Sequence, residues 1–182
     1  MGYRHSSDDL LAAAVAVARE SGVGSVSFGT VARHLGINDR TVVYYFPTKA
    51  DLVAAVVMAL GAELQELLET AFGDAPLSRE ELMRRAWPVL ATPEADPAFA
   101  AFFEVVGLAS AGAEPYRTLA SGIIDQWLPW VASRVAGRTA PQRERDALAV
   151  VAQMDGLLLL RRLAGPAAAE RAADALGVRS RR

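Results

Sequence analysis

The chain has 182 residues, of which 52% are hydrophobic and 22% charged, and it contains no cysteine. This composition is typical of a globular protein with a substantial core, and it excludes a disordered chain, structural disulfides and thiolate metal sites. The net charge of −2 is wrong for a strongly basic, non-specific DNA binder, and the apolar runs are too short to span a bilayer, so we expect a cytoplasmic protein.

The first predicted element is an amphipathic helix that begins near residue 6. Either Ser6 or Ser7 can cap its first turn, and Gly22 is suited to end it. Its predicted buried stripe comprises Leu11, Val15 and Ala18. Arg4 precedes this helix, in a segment that we expect to be a loose arm.

Two short helices joined by a glycine-containing turn are predicted next. Ser27 can cap the first helix, and Gly36 can supply the left-handed residue that ends it. Asn38 or Asp39 can then cap the second helix. The apolar stripe of the first helix is Phe28, Val31, Ala32 and Leu35, and the inward residues of the second are Val42 and Phe46. These are the ingredients of a helix-turn-helix.

A long fourth helix is predicted at about 48–72, after Pro47 has ended the previous one. Thr48 and Asp51 have the spacing of a capping box. The predicted inward side of this helix is Leu52, Val56, Ala59, Leu60, Leu64, Leu67 and Leu68.

The rest of the chain predicts five more helices, near 79–91, 96–111, 115–136, 141–164 and 167–176. Ser78 and Glu81 form another predicted capping box, and Pro88 and Pro129 should kink or end the helices that contain them. Since no alternating strand pattern is present, the fold class is predicted to be all-α. Arg179–Arg182 is expected to form a frayed tail.

The segment Phe28–Leu52 resembles the N-terminal DNA-binding domain of the TetR family of bacterial transcriptional regulators. The resemblance rests on Ala32, the turn Gly36-Ile37-Asn38, Thr41-Val42, Phe46, Pro47-Thr48-Lys49 and Leu52, and it is specific over roughly residues 8–60. The chain departs from the family at Val43, where a phosphate-touching tyrosine is frequent, and at Gly29, where a basic or polar residue is frequent. The resemblance implies a three-helix DNA-binding domain at 1–50 and a helical ligand-binding and dimerisation domain at 51–182.

The resemblance also implies which residues meet DNA. Arg40 and Tyr44 are expected to face the major groove, where arginine can pair with guanine. Asn38 can either contact adenine or only cap its helix. The remaining candidates are Thr30, Thr41, Tyr45 and Lys49. The two threonines are either hydroxyl donors to phosphate or helix-start residues, and Tyr45 is expected to be partly buried in the core. Lys49 is the single lysine beside 18 arginines, and it stands where the family has a phosphate-contacting lysine. Arg4 is a weaker candidate, because arms of the family can approach DNA.

A small apolar ligand is the second expected partner. Aromatic and sulfur-containing side chains are frequent after residue 80, and they either line a cavity or fill a solid core. The candidates for a ligand site are Trp87, Phe99, Phe102, Phe103, Tyr116, Trp127 and Met154. Asp125, Gln126, Gln153 and Asp155 interrupt the apolar stretches, and they either orient a ligand or point outward.

The last two helices predict a homodimer. Residues 147–163 are apolar on more than one side of the helix, and 167–176 is rich in alanine. Such helices are buried either inside the monomer or against a partner subunit, and the second arrangement also matches a palindromic operator.

The predicted function is a ligand-responsive DNA-binding repressor that a small apolar molecule releases from a palindromic operator. An activator and a helical protein-interaction module that no longer binds DNA are the alternatives. The chain lacks a Walker loop, a dinucleotide glycine pattern and an HExxH motif, and its histidines are His5 and His34 alone. We therefore predict no catalytic residue, metal or cofactor. The sequence does not indicate the ligand, the operator or the target genes.

Overall fold

The computed structural model describes residues 5–178, and these residues form nine α-helices and no β-strand. The helices are α1 Ser7–Ser21, α2 Phe28–Leu35, α3 Asp39–Tyr45, α4 Lys49–Phe72, α5 Arg79–Leu90, α6 Asp96–Ser110, α7 Tyr116–Arg134, α8 Ala140–Ala164 and α9 Pro166–Ala175. A short 3₁₀ turn at Val23–Ser25 follows α1. The predicted all-α class is therefore confirmed. Arg4 and Arg179–Arg182 lie outside the described residues.

Reciprocal capping boxes begin three of the four N-terminal helices. The Ser6 hydroxyl accepts from the Asp9 amide at 3.1 Å while the Ser6 amide donates to the Asp9 carboxylate at 2.8 Å. Thr48 and Asp51 exchange the same pair of bonds at the start of α4. The third box begins α2 and joins Ser27 to Thr30. Each box satisfies backbone donors that a helix start leaves unpaired, so these short side chains fix where the helices begin.

The start of α5 differs from its prediction. Ser78 does cap the helix, because its hydroxyl accepts from the Glu81 amide at 3.2 Å. The Glu81 carboxylate instead accepts from Arg84 and Arg85 one turn later. Those guanidiniums hold the pKa of Glu81 below its ordinary value. The reciprocal bond of the predicted box is therefore replaced by ion pairs along the helix.

The chain divides into two compact units, one of residues up to 63 with 97–120, and one of 64–96 with residues from 121 onward. In the first unit, α1, α2 and α3 pack around Leu10, Val31 and Val42, which are fully buried. The Glu104 carboxylate of α6 accepts from the Gly24 amide at 3.3 Å within the same unit. The functional division at residue 50 stays a prediction.

The second unit is built on α5 and α8, which pack together. Their buried residues are Leu82, Met83, Ala86, Trp87 and Leu90 on α5, and Ala147, Val150, Met154, Leu157 and Leu158 on α8. Arg161 of α8 forms a two-bond ion pair with Asp96 at 3.0 and 3.1 Å. Leu77 and Val135 form an isolated β-bridge. The Leu77 amide donates to the Arg134 carbonyl, and the Ala136 amide donates to the Leu77 carbonyl.

The structure differs from the prediction at Leu67, and it shows that the two helices with internal prolines continue past them. Leu67 was placed on the inward side of α4, but it is 53% exposed, because the later turns of this helix bury a narrower stripe. Pro88 and Pro129 both lie inside their helices and end neither of them. No helix of residues 5–178 is both long enough and apolar enough to cross a membrane.

Asp155 is a half-buried carboxyl in the central, largely apolar part of α8. It has no hydrogen-bond or ion-pair partner among the described residues, and burial raises its pKa to about 6 from the ordinary 3.8. Because the folded chain holds this proton more tightly than the unfolded chain, the resulting stabilisation is complete below pH 3.8 and is lost as the pH rises through 6.

We therefore expect Asp155→Asn to stabilise the protein above pH 6 by about 1–3 kcal/mol, since the amide carries no charge to desolvate. The melting temperature should rise by roughly 2–4 °C for each kcal/mol in a chain of this size. Thermal unfolding followed by circular dichroism between pH 3.8 and pH 7 measures the effect. Glu144→Gln, at an exposed position of the same helix, is the control. Parallel pH profiles for wild type and Asp155→Asn would contradict the assignment.

Candidate nucleic-acid interface

The junction between α2 and α3 sets the direction in which α3 points. Gly36 adopts the left-handed conformation at φ 67° and ψ 33°, which a side chain would strain. The Ile37 amide then donates to the Ala32 carbonyl at 3.0 Å and closes the helix end. Val31 and Val42 are buried on either side of this turn. The two helices are thus joined by a short rigid corner.

The side of α3 opposite this buried contact carries side chains that reach into solvent. Asp39, Arg40, Val43 and Tyr44 are exposed, and Tyr44 is the most accessible of the large apolar residues described, at 79%. Arg40 forms no ion pair with any described residue. A short helix that presents an unpaired guanidinium and a phenol to solvent has the groups needed to contact base edges and phosphates.

Tyr45 holds Tyr44 in place. Tyr45 is half-buried and its hydroxyl donates to the His5 carbonyl at 3.3 Å. Its ring meets the Tyr44 ring edge to face, with centroids 5.1 Å apart and planes at 87°. Such a contact favours one arrangement of two aromatic rings. The predicted partly buried role of Tyr45 therefore includes positioning its exposed neighbour.

Asn38 and Thr30 both act as capping residues. The Asn38 side-chain oxygen accepts from the Arg40 amide at 2.9 Å at the start of α3, while the residue itself stays exposed. The Thr30 hydroxyl accepts from the Ser27 amide and lies 2.9 Å from the Ser25 carbonyl, to which it donates. Of the two hydroxyls predicted to reach phosphate, that of Thr30 is thus already engaged, and Thr41 is half-buried on α3.

Lys49 is the first residue of α4 and is exposed. The capping box formed by Thr48 and Asp51 surrounds it in sequence and fixes the backbone that carries it. A cation at a helix start opposes the helix dipole, so its position gains nothing from the helix itself. Lys49 forms no ion pair with a described residue, so its charge is available to an anion from outside the chain.

Exposed cations without ion-pair partners lie around α2 and α3. Asp9 and Asp51 are engaged as helix caps, and Arg19 is paired with Glu63. Arg33, Arg40 and Lys49 are exposed and form no ion pair with described residues. Cations are thus left available around α2 and α3 in a protein whose net charge is −2.

Val43 is a departure from the family pattern and has no predicted role of its own. The structure places it on the outward side of α3 with 39% of its surface exposed. Helical spacing from Arg40, three residues earlier, was a signal that could have identified it.

The predicted ligand residues fall into both compact units. Phe99, Phe102, Phe103 and Tyr116 belong to the first, where each is half-buried and the Phe102 and Phe103 rings are 5.3 Å apart. The others, Trp87, Trp127 and Met154, belong to the second.

In the second unit the two candidate tryptophans have different environments. The half-buried Trp127 packs edge to face on Trp130 at 5.3 Å, while Trp130 donates to Glu69 at 3.1 Å. Trp87 is 3% exposed, and its buried indole N–H has no hydrogen-bond partner among residues 5–178. A buried donor without an acceptor costs stability, so Trp87 is the candidate whose chemistry is incomplete in the free protein.

A surface concavity of about 370 Å³ lies in the first unit. Its lining is His5, Asp9, Ala12, Ala13, His34 and Leu35. None of the predicted ligand residues contributes to it. Within residues 5–178, no three histidines or carboxylates are grouped as a metal ion requires.

Comparisons with known proteins agree with this geometry. The family model of the bacterial regulatory proteins of the tetR family matches residues 10–56, which include α2, the turn and α3. No curated protein matches the chain.

Solved structures share the fold over almost the whole chain. A TetR transcriptional regulator from Legionella pneumophila is 19% identical with a TM-score of 0.69, covering 97% of each chain. A transcriptional regulator from Rhodococcus sp. is 22% identical with a TM-score of 0.72, covering 96% of this chain and 94% of that one. The multidrug binding protein EbrR, solved with imidazole, is 22% identical with a TM-score of 0.71, covering 100% of this chain and 95% of that one. The match to the tetR family model is thus confined to residues 10–56, while the similarity to these solved structures shows that their fold extends over almost the whole chain.

Proposed function

We propose that this protein is a homodimeric, ligand-responsive transcriptional repressor that binds a palindromic operator through α3. The observation that carries the proposal is the exposed side of α3, where Arg40 and Tyr44 reach into solvent while Val42 is buried on the opposite side of the helix. Phosphate contacts position a protein on duplex DNA, and contacts to base edges select the sequence. Both kinds of group are present on or beside this helix.

The two roles fall on different residues. Arg40 is on α3 and carries a planar fork of donors, which suits the O6 and N7 acceptors of guanine in the major groove. Lys49 is at the start of the next helix and carries a single charge on a flexible stem, which suits a phosphate. We assign Arg40 to sequence reading and Lys49 to backbone anchoring, with Tyr44 beside Arg40 in the groove.

A second copy of the chain is proposed to pack on α8 and α9. Leu148, Ala152, Gly156, Leu159 and Leu163 recur every three or four residues along α8, and all five are exposed. Leu163 is 77% exposed, which is unusual for leucine next to a packed helix pair. A Cβ at Gly156 would meet no atom within 4 Å, so a facing helix can approach closely there.

A dimer of this kind gives the operator its symmetry. Two copies related by a two-fold axis present two α3 helices, and each copy binds one half-site of a palindrome. The exposed apolar stripe on α8 and the exposed polar side of α3 are thus proposed to serve one assembly.

The inducing ligand is proposed to be a small apolar molecule that carries a hydrogen-bond acceptor. The buried N–H of Trp87 has no hydrogen-bond partner among the described residues, and an acceptor on the ligand would supply one. Ligand binding then favours a conformation that fits the operator poorly, and the operator is released. By the same linkage, operator DNA weakens ligand binding.

The test of this function is selection of duplexes from a random pool by the purified full chain. A salt-sensitive palindrome is the expected product, because phosphate contacts release counterions and a two-fold dimer selects symmetric sites. If the pool stays unenriched while the protein remains folded, the chain is instead a helical interaction module without DNA binding.

We expect Arg40→Ala and Lys49→Ala to weaken operator binding in different ways. Arg40→Ala should cost about 1–3 kcal/mol and relax the preference at one base pair of each half-site. Lys49→Ala should weaken binding to every sequence and reduce the salt dependence by about one ion for each subunit. Fluorescence anisotropy over a salt series, on the selected duplex and on single-base variants, separates the two effects.

Arg138→Ala is the matched control for both variants, because Arg138 is an exposed arginine between α7 and α8. It should leave affinity and salt dependence unchanged. Equal losses on all sequences for Arg40→Ala would show that this arginine anchors the backbone and does not read a base.

Gly156→Leu should separate the subunits without unfolding them. The monomer has open space at this position, and leucine favours helix more than glycine does, so folding should be retained. Against a close partner helix, the added side chain should cost roughly 1–3 kcal/mol for each copy. Sedimentation velocity measures the change from dimer to monomer.

Gly122→Leu is the control for that experiment, since Gly122 is likewise an exposed helical glycine with open space around its Cβ. It should remain dimeric. A wild-type chain that sediments as a monomer, or a Gly156→Leu chain that sediments as a dimer, would contradict the proposed interface.

A thermal-shift screen of small apolar molecules with a hydrogen-bond acceptor, imidazole among them, should identify ligands. At a concentration near 100 times Kd, such a ligand should stabilise the wild type by about 2.7 kcal/mol. Trp87→Phe keeps the ring but lacks the N–H, so its stabilisation by the same compounds should be smaller. Anisotropy with the selected duplex tests whether those compounds release DNA. Equal stabilisation of both proteins would exclude Trp87 as the anchor.

A further inference from the structure

An aliphatic side chain stands on the outward side of α3 among polar ones. Between residues 5 and 50, all of which are described, the exposed large apolar residues are Val43 and Tyr44, and both lie on this helix. Tyr44 has a hydroxyl that can hydrogen-bond, whereas Val43 has no polar side-chain atom. The neighbouring Val42 is fully buried and already supplies the packing contact of this turn. Val43 is therefore not needed to hold α3 in place.

The position of Val43 places it beside the proposed reading arginine. It follows Asp39 by four residues and Arg40 by three, so the three side chains share one side of the helix. With about 100° between successive residues of an α-helix, Val43 lies between Asp39 and Arg40 in projection. Its Cα is about 4.5 Å from that of Arg40 along the helix axis, which is between one and two base-pair steps of about 3.4 Å.

The chemistry of base edges limits what such a side chain can recognise. In the major groove, the purine N7 and O6 acceptors and the cytosine and adenine amino groups all need hydrogen-bond partners. An aliphatic group pressed against them leaves them unpaired, which is unfavourable. The C5-methyl of thymine is the apolar group in that groove, and contact with it buries apolar surface on both sides.

We propose that Val43 is a specificity-determining residue that recognises the methyl group of a thymine, located within about two base pairs of the base read by Arg40. This inference rests on the proposed function, because it requires α3 to enter the major groove. It goes beyond that function by assigning a base and a chemical group to a residue without hydrogen-bonding capacity.

The experiment replaces thymine by deoxyuridine, which differs by the methyl group alone. Starting from the duplex selected by the wild type, each thymine of a half-site is replaced in turn, and its symmetry mate is replaced with it. We expect one thymine pair to matter through its methyl groups, with binding about fourfold weaker for each half-site and about 16-fold weaker for the pair.

Val43→Ala tests whether the valine is the group that senses that methyl. Alanine favours helix, so α3 should be retained. Its complex with the thymine duplex should be weakened to a similar extent, and deoxyuridine at the same position should cause no further loss. Leu67→Ala removes a more exposed aliphatic group from α4 and should bind every duplex as the wild type does.

The outcomes separate this inference from the function beneath it. If a duplex is selected and bound but wild type tolerates deoxyuridine at every position, Val43 does not read a methyl group. The same conclusion follows if Val43→Ala and wild type lose equal affinity on deoxyuridine substitution. If the wild type selects no duplex, the proposed function fails, and this inference fails with it.

Discussion

The burial of Val31 on α2 and of Val42 on α3, on either side of the turn at Gly36, is the constraint on which the candidate interface depends. Two short helices have little stability alone, so their relative direction is fixed by the packing of these buried side chains and by the left-handed glycine between them. The outward direction of α3 follows from the inward burial of Val42. A change that loosened this corner would therefore alter the interface without touching an exposed side chain.

The electrostatics of the N-terminal helices follow from the use of acids as structural parts. Because Asp9 and Asp51 accept backbone hydrogen bonds at helix starts, they stabilise the fold at positions where negative charge is favourable. The hydrogen bond that the Ser6 amide donates to the Asp9 carboxylate holds the pKa of Asp9 below its ordinary value. The net charge of the whole chain does not describe where the exposed cations around α2 and α3 lie, and for that reason it is a poor guide to DNA binding in this chain.

Much of the fold could be predicted because its signals are local. Ser27, Gly36 and Thr48 mark helix ends through bonds that span only a few residues, and the structure places the ends where the sequence indicated. The bridge of Leu77 with Val135 and the exposure of Leu67 depend on distant chain segments, and a single sequence carries no local sign of either.

The candidate site divides in the same way. Arg40 and Tyr44 could be identified from a motif, and they are exposed as expected. Tyr45 contacts the ring of Tyr44 and is itself held by the His5 carbonyl. Tyr45 and His5 are 40 positions apart, so this second contact could not be inferred from spacing. The unsatisfied N–H of Trp87 could not be predicted from the sequence either, because it depends on the absence of a hydrogen-bond acceptor among all the residues packed around it.

The exposed Lys49 has one more consequence, which comes from its being the single lysine of the chain. Any reaction that modifies a lysine side chain of this protein can occur at this residue alone, at the start of α4. Acetylation there would neutralise the proposed anchoring charge and leave all 18 guanidiniums intact. The choice of arginine everywhere else thus concentrates lysine-directed modification on the one side chain proposed to touch the operator backbone.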